Sequence, residues 1–262
     1  RNQVNSLLLT MRIFLGILSL LWKVYIAIVF FFFAIILFPF FLVIIQFPRT
    51  KNYSFYLFIF WSYMMRVFCF YPIKKIRHGK TPKGPYIIVA NHTSYLDIFF
   101  MYSIVPQHQF MFLGKSEILG YPLVSTYFKS MNVPVYRNDK SKAGRAYLGA
   151  IKAYQQGFSL AIFPEGTFPE IDLPKMVSFK GGAFKLAKEL NAPIFPITFM
   201  NNYKLFSDPL EWLGPARPGL AVVHLHPLVT VDQIESMTAE ELKAHCFQII
   251  SKPLEEAHPE LY

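Results

Sequence analysis

The first 80 residues of this 262-residue chain contain no Asp or Glu, although they hold ten Lys or Arg. The remaining residues hold sixteen charges of each sign, so the net charge of +10 belongs entirely to the N-terminal segment. Such basic charge is typical of proteins that bind nucleic acid or a membrane. Because Phe-rich, Ile-rich and Leu-rich runs separate the basic residues, we predict a lipid bilayer as the partner and no nucleic acid.

Cysteines and familiar cofactor motifs are also scarce. Cys69 and Cys246 are the only cysteines, which argues against a disulfide scaffold and a structural zinc site. The chain has no GxSxG, GxGxxG or HExxH motif, and Gln109 stands where a phosphate-binding loop ending at Gly114-Lys115-Ser116 requires its first glycine. His224 and His226 have a spacing that allows two metal ligands, but no third ligand is near in sequence. We therefore predict neither a metal nor a cofactor.

Two apolar segments open the chain. Residues 24–47 carry no charge and are long enough to cross a bilayer, with Pro39 predicting a kink. Residues 53–71 include Arg66 and predict an amphipathic helix or a marginal span. Lys or Arg residues occur at every break between apolar runs, whereas a two-span hairpin would deplete one side of them. We favour an arrangement that enters and leaves the same side of the bilayer, with a single kinked transmembrane anchor as the alternative.

From Lys80 onward, short β-branched runs alternate with amphipathic segments, which is typical of an α/β fold. We predict a mixed sheet flanked by helices, preceded by a hydrophobic two-helix membrane-associating region. A boundary near residue 78 would separate the membrane-anchoring helices, residues 1–78, from a catalytic domain, residues 79–262. The predicted strands are residues 86–90, 110–113, 133–135, 160–163, 194–199 and 220–225, and helices are predicted at 141–156 and 238–257.

His92 and Asp97 stand directly after a predicted strand. Five helical residues amount to about 500 degrees of rotation, so the two side chains would not share a face within one helix. They meet if His92 lies in the loop and Asp97 lies in the first turn of the next helix, and such a pair makes a general base. The alternative is that Ser94 and Asp97 form only a capping box.

A second polar group follows another predicted strand. Glu165, Gly166 and Thr167 come after the strand at 160–163, and Lys180 precedes the next predicted helix. Lys115 and Arg137 also follow strands, where cations suit phosphate. Ligands of open α/β sheets collect at the carboxyl ends of strands, so we expect one crevice. The alternatives are an exposed Pro-Glu-Gly turn and solvated surface charges.

Taken together, five segments in order resemble the motifs of the glycerolipid acyltransferase family, most of all the 1-acylglycerol-3-phosphate acyltransferases. The resemblance covers about residues 85–200. The segments are Asn91-His92-x4-Asp97, Lys115-Ser116-Glu117-x4-Pro122, Val133-Pro134-Val135-x-Arg137, Phe163-Pro164-Glu165-Gly166-Thr167 and Ala192-Pro193-Ile194-x-Pro196-Ile197.

The resemblance implies an acyltransferase catalytic domain that moves a fatty acyl chain from acyl-CoA or acyl carrier protein, as co-substrate, to the sn-2 hydroxyl of lysophosphatidic acid. The product would be phosphatidic acid, made at the cytoplasmic face of the inner membrane. His92 would be the general base and Asp97 its orienting partner. The residues implied to hold or border the acceptor are Arg137, Glu165, Gly166, Lys115 and Thr167, and we add Lys180 from the predicted crevice.

One position departs from the family pattern. The third motif commonly continues with Arg or Ser, but residue 168 is Phe. This change motivates an alternative acceptor, another lyso-lipid or an amino-acid lipid such as lyso-ornithine lipid. A non-enzymatic alternative is a lipid-binding module in which the His/Asp segment only caps a helix.

Overall fold

The computed structural model describes residues 2–47, 50–115, 122–135, 140–169 and 172–262. Two helices come first and are followed by alternating strands and helices. The helices are α1 (Asn2–Gln46), α2 (Ser54–Phe68), α3 (Tyr95–Ile104), α4 (Pro122–Met131), α5 (Lys140–Gln155), α6 (Gly182–Leu190), α7 (Asn202–Leu205), α8 (Val231–Ser236) and α9 (Ala239–Ala257). The strands are β1 (Ile73–Arg77), β2 (Ile87–Ala90), β3 (Phe110–Lys115), β4 (Val133–Val135), β5 (Ser159–Ile162), β6 (Ile194–Phe199) and β7 (Ala221–Leu225).

The strands form one seven-stranded sheet in the order β1-β7-β6-β2-β5-β3-β4. The five strands from β6 to β4 are parallel, whereas β7 is antiparallel to β6 and parallel to β1. The predicted mixed α/β fold is therefore confirmed. Because β2 pairs with β5 and β6, the chain segments that follow these three strands emerge side by side at one edge of the sheet.

Helices cover both faces of the sheet. The side chains of β2 point alternately to one face and the other. Ile88 and Ala90 belong to a hydrophobic cluster that includes residues of α1, α2 and α3. Ile87 and Val89 belong to a second cluster that includes residues of α5, α6 and α9. Successive side chains of a strand point to opposite faces, so a strand buried on both faces is apolar at every position.

Helix α1 packs against the rest of the fold through one face. Its buried apolar residues recur at intervals of three or four, at Ile26, Val29, Phe33, Leu37 and Phe41. On the other side of α1, large apolar side chains point outward, among them Phe14, Leu21, Ile28, Ile35 and Phe40. Within the described residues, the part Thr10–Gln46 is the one helix long and apolar enough to cross a membrane by length and composition.

The sheet begins ahead of the boundary expected near residue 78. Strand β1 pairs with β7 from Ile73↔Ala221 to Arg77↔Leu225, so residues 73–77 belong to the same sheet as the later strands. Helices α1 and α2 also share a hydrophobic cluster with β2 and β6. Strand β1 and the two N-terminal helices therefore pack with the later strands.

Candidate active site

His92 and Asp97 meet where β2 gives way to α3. Strand β2 ends at Ala90, and α3 begins at Tyr95 behind an extended N-cap residue, Ser94. His92 lies in the intervening loop and Asp97 in the first turn of the helix, as the sequence predicts. The Nδ1 atom of His92 is 3.0 Å from Oδ2 of Asp97.

Asp97 is fully buried and accepts hydrogen bonds at both carboxylate oxygens. Besides the imidazole, Oδ2 accepts from the backbone amides of Thr93, at 2.8 Å, and Ser94, at 2.9 Å. Oδ1 accepts from Nδ2 of Asn202 at 2.7 Å. The capping box at Ser94 is also complete, since the hydroxyl of Ser94 accepts from the amide of Leu96. Asp97 therefore both caps α3 and holds the imidazole of His92, so the capping box does not prevent the contact that a general base requires.

The imidazole of His92 lies between two aromatic rings. Because the carboxylate of Asp97 is an acceptor, Nδ1 of His92 carries the hydrogen and a neutral ring has its lone pair on Nε2. The ring of Phe163 stacks on the imidazole at a centroid distance of 4.0 Å, and that of Phe168 lies 4.4 Å away, tilted by 56°. The side chain of His92 is 13% exposed. The imidazole is thus oriented and largely shielded from water, with Nε2 left for a substrate.

Glu165 joins the loop after β5 to the loop after β2. Its Oε1 accepts from the amide of His92 at 2.8 Å and its Oε2 accepts from the amide of Val177 at 2.9 Å. The residue is 1% exposed, and burial raises the pKa of its carboxyl to about 7 against the lowering effect of these two amides. The predicted convergence of the two polar loops is confirmed. Glu165 is not among the residues that line the cavity beside His92, and its two hydrogen bonds tie the two loops together.

A cavity of about 340 Å³ opens beside His92. Its walls are mostly aromatic, and ring contacts with centroid distances of 4.0 to 6.5 Å lead stepwise from the imidazole to α1. The rings in this series are His92, Phe163, Phe112, Tyr102, Phe58, Trp61 and Phe30. Such walls suit a long apolar ligand that has one end at His92 and extends toward α1.

The other predicted site residues have different positions. Gly166 and exposed Thr167 line the cavity. Gly166 has a φ of 71°, a conformation that favours glycine, and its amide donates to the carbonyl of Phe163. Lys180 is exposed and does not line the cavity, although its amide donates to the carbonyl of Pro164.

In the sequence, the two remaining predicted cationic residues come at or just after the ends of β3 and β4, the two strands at one end of the sheet. Lys115 is the last residue of β3 and its backbone lies opposite Val135 of β4, while its side chain falls outside the described part of the structure. Arg137 lies outside the described residues. The neighbour of Lys115, Gly114, lines the cavity, so the end of β3 borders the site.

Asn202 is a site residue that we did not predict from the sequence. It is fully buried at the start of α7, and its side-chain amide donates to Asp97. The rule that polar residues collect after strands would have indicated it, because Asn201-Asn202 comes soon after Phe199 ends β6. No local motif connects it to a carboxylate 105 positions away.

Histidines at the opposite edge of the sheet form a separate group. Nε2 of His78 is 2.8 Å from Nδ1 of His224, and the ring of His78 also stacks with His226 at 5.1 Å. The fold thus brings His78 next to a histidine that lies 146 positions later in the chain. Burial lowers the pKa of His226 to about 4, with smaller contributions from the other two rings. Across the part of the chain that the structure describes, no three His, Cys, Asp or Glu residues are grouped to hold a metal ion.

Comparisons with known proteins give consistent results. A model of the acyltransferase family matches residues 69–200. A 1-acyl-sn-glycerol-3-phosphate acyltransferase of Borreliella burgdorferi is 31% identical over 177 residues, which cover 66% of this chain and 67% of that protein. The enzyme of the same name from Salmonella typhimurium is 27% identical over 180 residues, covering 68% and 70%.

The fold has a solved counterpart. The crystal structure of the 1-acyl-sn-glycerophosphate (LPA) acyltransferase PlsC from Thermotoga maritima aligns with a TM-score of 0.76 at 22% sequence identity. The alignment covers 93% of this chain and 97% of that one. The shared α/β architecture thus extends over nearly the whole chain.

Proposed function

Because the chain belongs to the acyltransferase family, we propose that it moves a fatty acyl chain from an acyl thioester to the sn-2 hydroxyl of lysophosphatidic acid, giving phosphatidic acid for phospholipid synthesis. The donor is acyl-CoA or acyl carrier protein, and the reaction needs no metal or cofactor. The observation that carries the proposal is the buried His92–Asp97 pair at one end of an aromatic-walled cavity.

The chemistry follows from the orientation of the imidazole. Nε2 of His92 accepts the proton of the acceptor hydroxyl as the oxygen forms its bond to the thioester carbonyl carbon. The carboxylate of Asp97, 3.0 Å from Nδ1, stabilises the imidazolium. Collapse of the tetrahedral intermediate breaks the carbon–sulfur bond, and the departing thiolate takes the proton from Nε2. A positioned base of this kind is worth about 10² to 10⁴ in rate.

We assign the substrates to the surroundings of this pair. Gly166 and Thr167 border the cavity beside His92 and face the acceptor. Lys115 and Arg137 follow β3 and β4 and supply cations for the phosphate, with Lys180 near the same edge. Glu165 serves as a positioning residue, because both of its carboxylate oxygens accept backbone hydrogen bonds.

We further propose that α1 attaches the enzyme to the cytoplasmic leaflet of the inner membrane. Between Arg12 and Arg49 the sequence has one charged residue, Lys23, and that side chain is buried. From Ile13 to Val43 the outward face of α1 is therefore apolar, and a continuous exposed surface of this kind marks a membrane contact. Attachment places His92 near the lipids on which the enzyme acts.

Phe168 favours a second candidate acceptor. Its ring covers His92 at 4.4 Å and contacts the ring of Tyr95 at 5.0 Å, where the family pattern has Arg or Ser. An aromatic ring offers no hydrogen bond to a phosphate, so a lyso-lipid with a different head group, such as lyso-ornithine lipid, is the alternative. A panel of lyso-acceptors with labelled acyl donor decides between them, and we expect the highest kcat/KM with lysophosphatidic acid.

His92→Ala tests the acyl-transfer step itself. We expect turnover to fall by about 10³-fold or more while the circular dichroism spectrum is retained, since the imidazole is the base. Ser94→Ala is the matched control: it removes the cap hydroxyl at a cost of about 1 kcal/mol in stability but leaves the His92–Asp97 pair in place. If His92→Ala retained wild-type turnover, the pair would only cap α3 and His92 would not be the base, whereas a wild-type protein that binds lipid without any turnover would be a lipid-binding module.

A further inference from the structure

The loop at residues 207–214, which we call the Trp212 loop, exposes large apolar side chains. Leu210 is 83% exposed, Trp212 is 69% exposed and Leu213 is 57% exposed. Single exposed apolar residues are common on protein surfaces, but three within four positions form a patch. The loop follows α7, on the same side of the sheet as α1.

Lys23 fixes this loop to α1. Its side chain is 7% exposed, and Nζ donates to Oγ of Ser207 at 2.9 Å, to the carbonyl of Asp208 at 3.2 Å and to the carbonyl of Glu211. A buried ammonium is costly unless its donors are paired, so these three oxygens explain how α1 tolerates a lysine in its buried face. The loop and the helix are therefore held as one unit.

A close backbone approach makes a second contact. A Cβ atom added to Gly16 would lie 3.0 Å from Cβ of Leu213, so the loop packs directly on α1 at this glycine. Phe70 and Leu220, which are 61% and 48% exposed, form a second exposed apolar pair beside α1, since the amide of Gly219 donates to the carbonyl of Phe70 at 3.1 Å. Phe70 in turn contacts the ring of Trp22 on α1.

We propose that the Trp212 loop is a second lipid-contacting element, which enters the head-group region of the bilayer beside α1. The inference rests on the membrane attachment of α1 proposed above. Bilayer lipid is the fitting partner because the patch is continuous with the uncharged outward face of α1. Trp is the side chain most suited to the water–lipid interface, and the exposed carboxylate of Glu211 keeps the loop at head-group depth.

Fluorescence quenching in vesicles tests the proposal with the full chain. A polarity-sensitive thiol label is placed at Leu210→Cys, at Ile35→Cys on the outward face of α1, or at Leu148→Cys on α5. Ile35 and Leu148 are 64% and 65% exposed, and the native Cys69 and Cys246 are fully buried and will not react. The vesicles contain phospholipid brominated near the head group.

We expect the label at position 210 to lose about half or more of its fluorescence, as does the label at 35, while the label at 148 is unchanged, because α5 packs on the opposite face of the sheet. Quenching at 35 without quenching at 210 overturns the proposal and leaves the attachment of α1 intact. Quenching at neither position overturns both. If, in the absence of lipid, the label at position 210 becomes less exposed to water as the protein concentration rises, the patch binds a second copy of the chain instead.

Discussion

Asp97 receives four hydrogen bonds, and together they hold His92 in place before any substrate binds. Two come from the backbone of its own loop, one from the imidazole and one from Asn202. The local donors are five residues away or fewer, so a sequence pattern was enough to predict the pair. The contribution of Asn202 depends on β6 lying beside β2, which only the folded sheet provides.

Glu165 gives a prediction on pH at the residue scale. Burial raises the pKa of its carboxyl from 4.5 to about 7, so between these values the folded chain holds a proton that the unfolded chain has lost. Stability from this group is fully present below pH 4.5 and is lost as the pH rises through about 7. The free energy of unfolding of the wild type, minus that of Glu165→Gln, should fall on the order of 3 kcal/mol across this window.

Denaturant unfolding in detergent at several pH values measures this difference, with exposed Glu235→Gln as the control. Gln at position 165 keeps one acceptor oxygen, but its side-chain NH2 group then faces the backbone N–H of Val177 or His92, so two donors oppose each other. We therefore also expect a pH-independent loss of about 1 to 3 kcal/mol in the free energy of unfolding. A wild-type stability that rises relative to the variant from pH 5 to 7 would contradict the raised pKa.

Among the elements, α2 shows how a helix of the N-terminal segment contributes to the site. Phe58 and Trp61 lie on its inward face and line the cavity. The indole Nε1 of Trp61 is buried, and in the described part of the structure it has no hydrogen-bond partner. Replacing this side chain by a smaller ring removes volume from the cavity wall without breaking a hydrogen bond.

We therefore predict that Trp61→Phe enlarges the cavity and favours longer acyl donors. The ratio of kcat/KM for long against short acyl thioesters should rise about tenfold, and stability should change little. Competition between donors of different length, with product chains identified by mass spectrometry, measures the ratio. Trp22→Phe is the matched control, since the indole of Trp22 donates a hydrogen bond to the hydroxyl of Tyr71 and does not line the cavity. An equal change of the kcat/KM ratio in both variants would show that this cavity does not select the length of the acyl chain.

Strand β1 is the element that the sequence pattern missed. Only two of its five residues, Ile73 and Ile76, are apolar, and it lies immediately before the expected boundary. Its place in the sheet depends on β7, more than 140 positions later, and on Lys75, whose Nζ donates to the carbonyls of Ser103 and Ile104 at the end of α3. By contrast, β2 and β6 were predictable because short, mostly apolar runs rich in Ile are typical of strands buried on both faces.

At the scale of the whole molecule, the catalytic body lies along α1. The helix has 45 residues and is about 68 Å long, far more than the roughly 30 Å of hydrocarbon in a bilayer. Contacts with the body run from Gly16, against Leu213, to Ala34, whose carbonyl accepts from Tyr127, and to Phe41. A helix crossing the bilayer over this length would draw the body into the lipid, which favours attachment from one side.

Labelling of Thr50→Cys in sealed vesicles tests this arrangement. Residue 50 lies between α1 and α2, so a one-sided attachment keeps it on the side of the catalytic body. A membrane-impermeant thiol reagent should modify it from the same side as the control Leu148→Cys, with about equal yield. Modification only from the other side would show that α1 crosses the bilayer.

The amino-acid sequence by itself determined the α/β class, the apolar character of α1 and the His92–Asp97 pair, because each depends on residues close together in the chain. Only the tertiary structure decided that Glu165 bonds to the amide of His92, that Asn202 holds Asp97 and that Lys23 ties the Trp212 loop to α1. These contacts join residues 73, 105 and 184 positions apart. The physical reason is that strand order and helix packing, which no local pattern encodes, bring these partners within hydrogen-bond distance.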